Sequence, residues 1–168
     1  MFGKIKKRLP SLLLELALLV VFIIALEAFL TRDTVSGSAP SFEGVTLGGE
    51  PFTLSELQGK PAVVHFWATW CPVCNLEHGM IDSLARDYAV ITVAMQSGEG
   101  REVLAALQAE GVDYPVINDP QGALARLYGV SGVPASFVLD GNGDVRFVTR
   151  GYTSGLGMRL RLWWAGLF

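Results

Sequence analysis

The run "PAVVHFWA", residues 61–68, constrains the fold of this chain more than any other stretch. It is almost continuously apolar, and a strand of that kind is buried on both faces, inside a sheet that other elements cover. A second such run, "AVITVAM", follows at residues 89–95. Between the two runs, apolar residues recur at helical spacing, which predicts a helix from about Pro72 to Asp87.

The next segments predict further helices and two hairpins. Helices are predicted over residues 99–111 and 121–129, each ended by a glycine. A small hairpin is expected around Gly48-Gly49. A longer hairpin is expected around the "GNG" at residues 141–143, because β-prone runs flank it on both sides.

The C-terminal segment, residues 154–168, predicts a closing helix. Its residues Trp163, Trp164 and Leu167 are available for burial.

Along the chain, the predicted strands and helices alternate first, and an antiparallel hairpin and a helix follow. This order predicts an α/β fold with a mixed central sheet and helices on both faces.

The N-terminal segment predicts a membrane anchor. Residues 1–8, "MFGKIKKR", carry four positive charges, and residues 9–30 form an apolar run. About 20 apolar residues suffice for a helix to cross the hydrocarbon layer. Basic flanks stay in the cytoplasm, so the rest of the chain is expected on the other side of the membrane. The length of the run favours an uncleaved anchor over a cleaved signal peptide, the alternative, whose apolar part is typically about 7–15 residues.

A linker is predicted between this anchor and the globular part. Residues 31–41, "TRDTVSGSAPS", are small and polar and show no apolar periodicity. The globular domain is therefore expected over residues 42–168.

The charge of the exported part limits its partners. After residue 39 the chain has 8 basic and 13 acidic side chains, a net charge of −5, and no cluster of lysines and arginines. Nucleic-acid binding needs a basic surface, so the sequence gives it no support.

Both cysteines of the chain, Cys71 and Cys74, lie three positions apart in "TWCPVC". A disulfide that closes so short a loop removes little entropy from the unfolded chain, so a purely structural disulfide is disfavoured. A closed metal site needs four ligands, and only His65 and His78 could join the two cysteines. We therefore predict no metal site.

A redox role explains the pair better. Pro72 fits the first position of a helix, which places Cys71 at the N-cap, where unpaired N–H groups lower the pKa of a thiol. Cys74 lies one turn further on the same face, within reach of the Cys71 sulfur. Such a pair can attack a substrate disulfide through Cys71 and resolve the mixed disulfide through Cys74.

The sequence around the pair resembles a known family. "FWATWCPVC", with "GVP" at residues 132–134 before a strand, resembles the thioredoxin superfamily. The runs "GEPFTLSELQGKPAVVHFWATWCPVC" and "LYGVSGVPASFVLDGNGDV" are similar to the membrane-anchored TlpA- and ResA-like thiol–disulfide oxidoreductases of bacterial envelopes. The ending "RGYTSGLGMRLRLWW" is most similar to their copper-sensitivity-suppressor D branch. The resemblance covers roughly residues 40–168 and implies a thioredoxin-like fold and an enzyme without a cofactor.

The resemblance also implies roles for the residues around the dithiol. Cys71 is expected to be the exposed nucleophile and Cys74 the buried resolving thiol, with Trp70 as the aromatic residue that flanks the site. Pro134 matches the cis-proline of the family, which faces the cysteines. The backbone of Val133 is where a substrate chain would dock.

Two ionisable residues have two possible roles each. Glu77 matches a glutamate that tunes thiol pKa values in the family, although acids are also simply favoured in the first turns of a helix. Gly79 stands where relatives often have a proline, so the helix is expected to continue without a kink. His65 matches the position of an aspartate beneath the resolving cysteine of thioredoxin. It would either relay the proton of Cys74 or be a hydrogen-bonded core histidine.

The resemblance implies a reductant on the periplasmic side of the bacterial inner membrane. Its substrates would be oxidised envelope proteins. A membrane electron donor of the DsbD or ScsB kind would recharge the dithiol, because the compartment is otherwise oxidising. Apocytochrome c, the client of the cytochrome c maturation thioredoxins, is the alternative substrate.

A function of a different class, a Cu(I)-binding chaperone, is a further alternative. Cysteine thiolates suit Cu(I). The Sco-like copper carriers, however, use a wider cysteine spacing and a distal histidine, and no histidine follows His78 in this chain.

Overall fold

The computed structural model describes residues 14, 15, 17–19, 21, 22, 25, 26, 29 and 31–167 of the chain. The chain divides into two compact units, Met1–Arg32 and Asp33–Phe168. The predicted basic tail at residues 1–8 and most of the predicted anchor at residues 9–30 lie outside the described residues. Within the described part of the chain, no helix is both long enough and apolar enough to span a membrane.

The second unit alternates strands and helices around a six-stranded sheet. In chain order its elements are β1 (Gly37–Ser38), β2 (Glu43–Val45), β3 (Pro51–Thr53), a 3-10 helix (Leu54–Leu57), β4 (Ala62–Trp67), α1 (Pro72–Asn75), α2 (His78–Asp87), β5 (Ala89–Met95), α3 (Gly100–Glu110), β6 (Val116–Asp119), α4 (Ala123–Leu127), β7 (Ala135–Leu139), β8 (Asp144–Arg150) and α5 (Gly155–Ala165). The strand order in the sheet is β1-β8-β7-β4-β5-β6. Strand β1 lies in the segment predicted as a linker and pairs with β8 at the sheet edge.

Strand β4 lies inside the sheet and is covered on both faces. It pairs in parallel with β5 and antiparallel with β7, and all six of its residues are buried. Successive side chains of a strand point to opposite faces. Trp67 packs edge-on against His78 of α2, with ring centroids 4.8 Å apart, whereas Phe66 packs against Tyr128, just after α4, at 5.3 Å. The predicted mixed sheet with helices on both faces is therefore confirmed.

The predicted turns are present as well. Strands β2 and β3 form an antiparallel hairpin around Gly48-Gly49, and β7 and β8 form one around residues 141–143. Helix α3 ends at Gly111, whose φ of 67° lies in the left-handed region that favours glycine.

The continuous helix predicted from Pro72 to Asp87 is wrong, because the helix is broken between α1 and α2. The backbone hydrogen bonds tighten at the break. The N–H groups of Leu76 and Glu77 donate to the carbonyls of Val73 and Cys74, three residues back instead of four. This is the 3-10 pattern, which often marks a local change of helix direction.

A contact with a distant loop accounts for the break. Gly79 is not a helix breaker of the proline kind, and it lies within α2. The Glu77 side chain, however, is buried, and its carboxylate accepts a hydrogen bond from the N–H of Thr153. The tightened turn directs this carboxylate into the protein interior. The position of the helix break therefore depends on a hydrogen bond to a residue distant in sequence, and not on a local proline.

Helix α5 forms where the sequence predicts it, but its buried face differs from the prediction. Trp163, Trp164 and Leu167 are exposed. The buried residues are Met158, Leu162 and Ala165, which recur at spacings of four and three and so form one helical stripe. Helix α5 has apolar residues on two sides, and hydrophobicity alone does not indicate which side faces the sheet.

Replacing the inward Leu162 by Ala is expected to lower the free energy of unfolding by about 2–4 kcal/mol, because it leaves a cavity under α5. The matched control is Leu156→Ala on the same helix, where the side chain is exposed. It should change the free energy by no more than about 0.5 kcal/mol. Chemical denaturation of both variants measures the difference, and equal losses would contradict the assigned orientation of α5.

Candidate active site

The two cysteines lie where the chain leaves β4 and enters α1. Cys71 is the N-cap residue of α1, and Pro72 takes the first helical position, as predicted. The N–H of Cys71 donates to the carbonyl oxygen of Ala68 at 3.1 Å. The N–H of Cys74 donates to Cys71 Sγ at 3.2 Å. A donor aimed at this sulfur favours its thiolate once the pair is reduced.

Cys71 and Cys74 form a disulfide, with Cα atoms 5.3 Å apart. Cys71 is only 4% exposed and Cys74 is fully buried. The expectation of an exposed Cys71 is therefore wrong for the oxidised pair, because the loop before β7 packs against its sulfur. Of the two residues, Cys71 alone retains any accessible surface.

The loop before β7 contains the proline predicted to be cis. The peptide bond between Val133 and Pro134 is cis, which confirms that prediction. The carbonyl oxygen of Val133 lies 3.6 Å from Cys71 Sγ. The N–H of Gly151, just after β8, donates to the carbonyl oxygen of Pro134 at 2.8 Å and holds the loop in place. The structure thus brings Val133 and Pro134 together with the disulfide.

Trp70, directly before Cys71, is held by the corner that follows β5. Its ring is 58% exposed, yet its Nε1–H donates to the carbonyl oxygen of Gln96 at 2.9 Å. Gln96 has a φ of 48°, the only positive φ of a non-glycine residue in the described ranges. The N–H of Thr69 donates to Ser97 Oγ at 3.0 Å. The sequence does not indicate Gln96 and Ser97 as site residues, because a polar loop after a strand carries no signal of the residues that it will contact.

Glu77 lies in the tightened turn after α1, with its carboxylate inside the protein. The residue is 1% exposed, and Oε1 accepts the N–H of Thr153 at 2.5 Å. Burial raises the pKa of Glu77 to about 7, and the hydrogen bond from Thr153 opposes this rise only in part. Near neutral pH this carboxyl group therefore exists in both protonation states.

His65 lies in the middle of β4 and is buried. Its Nδ1 lies 2.9 Å from the hydroxyl oxygen of Ser136, its neighbour on β7. Burial, and secondly the nearby His78, lower the pKa of His65 to about 3, so the imidazole is neutral. These contacts are typical of a hydrogen-bonded core histidine, and a proton relay through His65 stays a prediction. Ser136 could have been found as the one hydroxyl within the apolar run "ASFVL".

Comparisons with known proteins agree with this fold and site. The family model described as Redoxin matches residues 34–156. A thioredoxin-like protein of Haemophilus influenzae is 34% identical over 98% of this chain and 99% of its own length. The thiol-disulfide oxidoreductase ResA of Geobacillus kaustophilus is 29% identical over 86% of this chain and 90% of its own length.

A solved structure supports the same conclusion. The thiol:disulfide interchange protein of Chlorobium tepidum TLS, a thioredoxin family protein, is 30% identical and superimposes with a TM-score of 0.68 over 79% of this chain and 98% of its own. The chain belongs to the redoxin family and is a thiol–disulfide oxidoreductase of the ResA and DsbE type. The thioredoxin-like fold expected from the sequence is confirmed.

Replacing Glu77 by Gln is expected to change how stability depends on pH. The folded-state pKa of about 7 lies above the ordinary value of 4.5, so between these pH values the folded state binds a proton that the unfolded state releases. The contribution of Glu77 to stability is therefore greatest below pH 4.5, falls as the pH rises towards 7, and is constant above.

Denaturation at pH 5 and pH 8 measures this effect as a difference between proteins. Over this interval the free energy of unfolding of the wild type should fall by about 1–3 kcal/mol more than that of Glu77→Gln. The exposed Glu50→Gln serves as the control and should follow the wild type. A Glu77→Gln curve parallel to that of the wild type would show that the carboxyl group titrates normally.

Proposed function

We propose that this protein reduces disulfides in proteins of the bacterial envelope, with Cys71 as the attacking sulfur and Cys74 as the resolving one. The observation that carries the proposal is the unequal placement of the two residues. Cys71 receives the N–H of Cys74 and retains accessible surface, whereas Cys74 is fully buried. A low thiol pKa and access to the substrate are what an attacking thiolate needs.

The reaction transfers two electrons from the dithiol to the substrate disulfide. The Cys71 thiolate attacks one substrate sulfur, an S–S bond forms between the two proteins, and the other substrate sulfur leaves as a thiolate. Cys74 then loses its proton and attacks Cys71. This step releases the second substrate thiolate and leaves the Cys71–Cys74 disulfide. The departing thiolates take up protons, so the substrate ends as a dithiol.

Glu77 is the group that we propose as the acceptor of the Cys74 proton. Its backbone N–H donates to the Cys74 carbonyl at 2.9 Å, so the two residues share one turn. A carboxyl group with a pKa of about 7 can accept a proton and release it again at neutral pH. His65, neutral and bonded to Ser136, would keep the interior beneath the pair uncharged.

The client is proposed to dock between Trp70 and the cis-proline loop. The Val133 carbonyl lies 3.6 Å from the reacting sulfur, so a client backbone that paired with Val133 would have its own sulfur next to Cys71. Trp70 offers an exposed aromatic surface that the Gln96 carbonyl holds in one orientation. Apocytochrome c remains the alternative client to envelope proteins in general.

The tether, the compartment and the donor rest on the sequence. Residues 1–8 and 9–30 have the charge and length of a single-pass inner-membrane anchor, which would place the catalytic unit on the periplasmic side. Relatives named thiol:disulfide interchange protein DsbE are compatible with such a role. A membrane donor of the DsbD or ScsB kind would return the disulfide to the dithiol. The likeness to the copper-sensitivity-suppressor D branch stays a prediction.

A Cys74→Ala variant is expected to accumulate mixed disulfides with its clients, because Cys71 can still attack and nothing resolves the product. Non-reducing gels of membranes that contain the full chain would show adducts that reductant removes. The double variant Cys71→Ala/Cys74→Ala is the matched control and should form none. If Cys71→Ala trapped clients while Cys74→Ala did not, the two roles would be reversed.

Insulin reduction and Cu(I) binding separate the enzyme from the copper chaperone. Cys71→Ser should lower reductase activity by at least about 1000-fold, because a hydroxyl cannot replace the attacking thiolate. The wild type should reduce insulin and bind Cu(I) only weakly. Tight Cu(I) binding without reductase activity would instead support the chaperone.

A further inference from the structure

Helix α5 has an apolar outer side that is exposed in the described part of the chain. We call this side the outer stripe; it consists of Leu156, Leu160, Trp163, Trp164 and Leu167, which are 52–72% exposed. Leu167 follows the helix in a last turn, in which its N–H donates to the carbonyl oxygen of Trp164 at 3.1 Å. An exposed row of two tryptophans and three leucines is typical of an interaction surface.

The spacing within the outer stripe fits another helix as its partner. Leu156, Leu160, Trp163 and Leu167 follow one another at spacings of four, three and four residues. This narrow pattern is the one that two paired helices use where they meet, with each apolar side chain packed between side chains of the other helix. The axes of two such helices lie about 8–10 Å apart.

The same spacing indicates a second copy of this chain as the partner, because four, three and four reads identically in both directions. A copy whose α5 lies antiparallel, related by a two-fold axis, places its Leu167 opposite Leu156. The same axis places its Trp163 opposite Leu160. Each of these four residues then has an apolar partner on the other copy. A closed two-fold interface requires a surface that matches itself in this way.

Trp164 flanks the outer stripe and has a matching groove on the second copy. This shallow apolar groove lies between α5 and β8 and is lined by Phe147, Gly157, Leu160, Arg161 and Trp164. Gly157 and Trp164 are seven residues apart and therefore lie on the same side of α5. In the antiparallel pair, Gly157 of the second copy lies within about 3 Å of the height of Trp164 along the helix axis. The indole of each copy therefore meets the position without a side chain on the other.

The two cations of α5, Arg159 and Arg161, are both directed onto their own unit. Arg159 Nη1 lies 2.7 Å from Asp87 Oδ2, and its Nη2 donates to Ser83 Oγ at 3.0 Å. Arg161 Nη1 donates to the carbonyl oxygen of Gly157 at 3.2 Å. The outer stripe itself contains no charged residue, so two copies bring only apolar side chains together along its length.

We propose that the outer stripe joins two copies of this chain through an antiparallel pair of α5 helices. Two tryptophans and three leucines that are more than half exposed offer on the order of 600 Å² per copy, close to the roughly 800 Å² that each partner buries in a standard interface. The groove beside Phe147 adds to this area. The pairing requires neither the tether nor the reductase activity proposed above.

Cysteine cross-linking in membranes that contain the full chain tests the pairing and its direction. In a Cys71→Ala/Cys74→Ala background, Leu156→Cys/Leu167→Cys places one thiol at each end of the outer stripe. A mild oxidant should convert most of this chain into a covalent dimer. Leu156→Cys alone and Leu167→Cys alone should stay monomeric. Like positions lie about 16 Å apart in the antiparallel pair, beyond the Cα–Cα distance of about 7 Å that a disulfide permits.

Three results of this experiment would overturn the proposal. A double variant that stays monomeric would show that a second copy does not cover the outer stripe. Dimers of equal yield from the single variants would show a parallel pair. A ladder of larger species would show that the contact does not close on a two-fold axis.

An acidic residue at the centre of the outer stripe tests the same contact by disruption. Leu160→Asp, added to the double-cysteine chain, should abolish the cross-link, because pairing would bury an unpaired charge. The matched control is Leu127→Asp, since Leu127 of α4 is also exposed, and it should leave the cross-link unchanged. Circular dichroism should show the same secondary structure in both chains. An equal effect of the two substitutions on the cross-link would contradict the proposed interface.

Discussion

The antiparallel pairing of β4 with β7 is the constraint on which the site depends. In this register Phe66, near the end of β4, lies beside Ala135 at the start of β7. The residues that follow one strand therefore meet those that precede the other, which brings the Cys71 sulfur to 3.6 Å from the carbonyl oxygen of Val133, the residue before the cis-proline. Burial of β4 on both faces prevents a slip of register, because a shift by one residue would move every side chain of the strand to the opposite face of the sheet. The reactive sulfur is thus positioned by the core of the fold.

Two buried ionisable groups lie close to this core, and burial disfavours the charged form of each. A charge without a partner in the interior is costly, so burial lowers the pKa of His65 and raises that of Glu77. With a pKa of about 3 His65 is neutral at neutral pH, whereas Glu77, with a pKa of about 7, titrates there. A carboxyl group with one backbone donor is a weak source of stability compared with an apolar residue. The proton exchange proposed for Glu77 would account for a carboxyl group at this buried position.

The sequence was sufficient for features that depend on local pattern or on a motif. Continuous apolar runs predicted β4 and β5, and Cys-Pro-Val-Cys predicted a helix start with a cysteine at its N-cap. Gly48-Gly49 and the "GNG" at residues 141–143 predicted the two hairpins. The sequence was insufficient where the local structure depends on a contact with a residue distant in sequence. The break at Leu76–Glu77 depends on the Thr153 backbone, and the setting of Trp70 depends on the Gln96 carbonyl. The orientation of α5 was misjudged because both of its sides are apolar.

The accessibility of the two sulfurs also limits how the proposed dithiol could be recharged. Cys71 alone of the pair retains accessible surface, and the Val133 carbonyl lies 3.6 Å from its sulfur. A donor would therefore attack the Cys71 sulfur from the side of Trp70 and Val133, so client and donor would use the same face of the protein in turn.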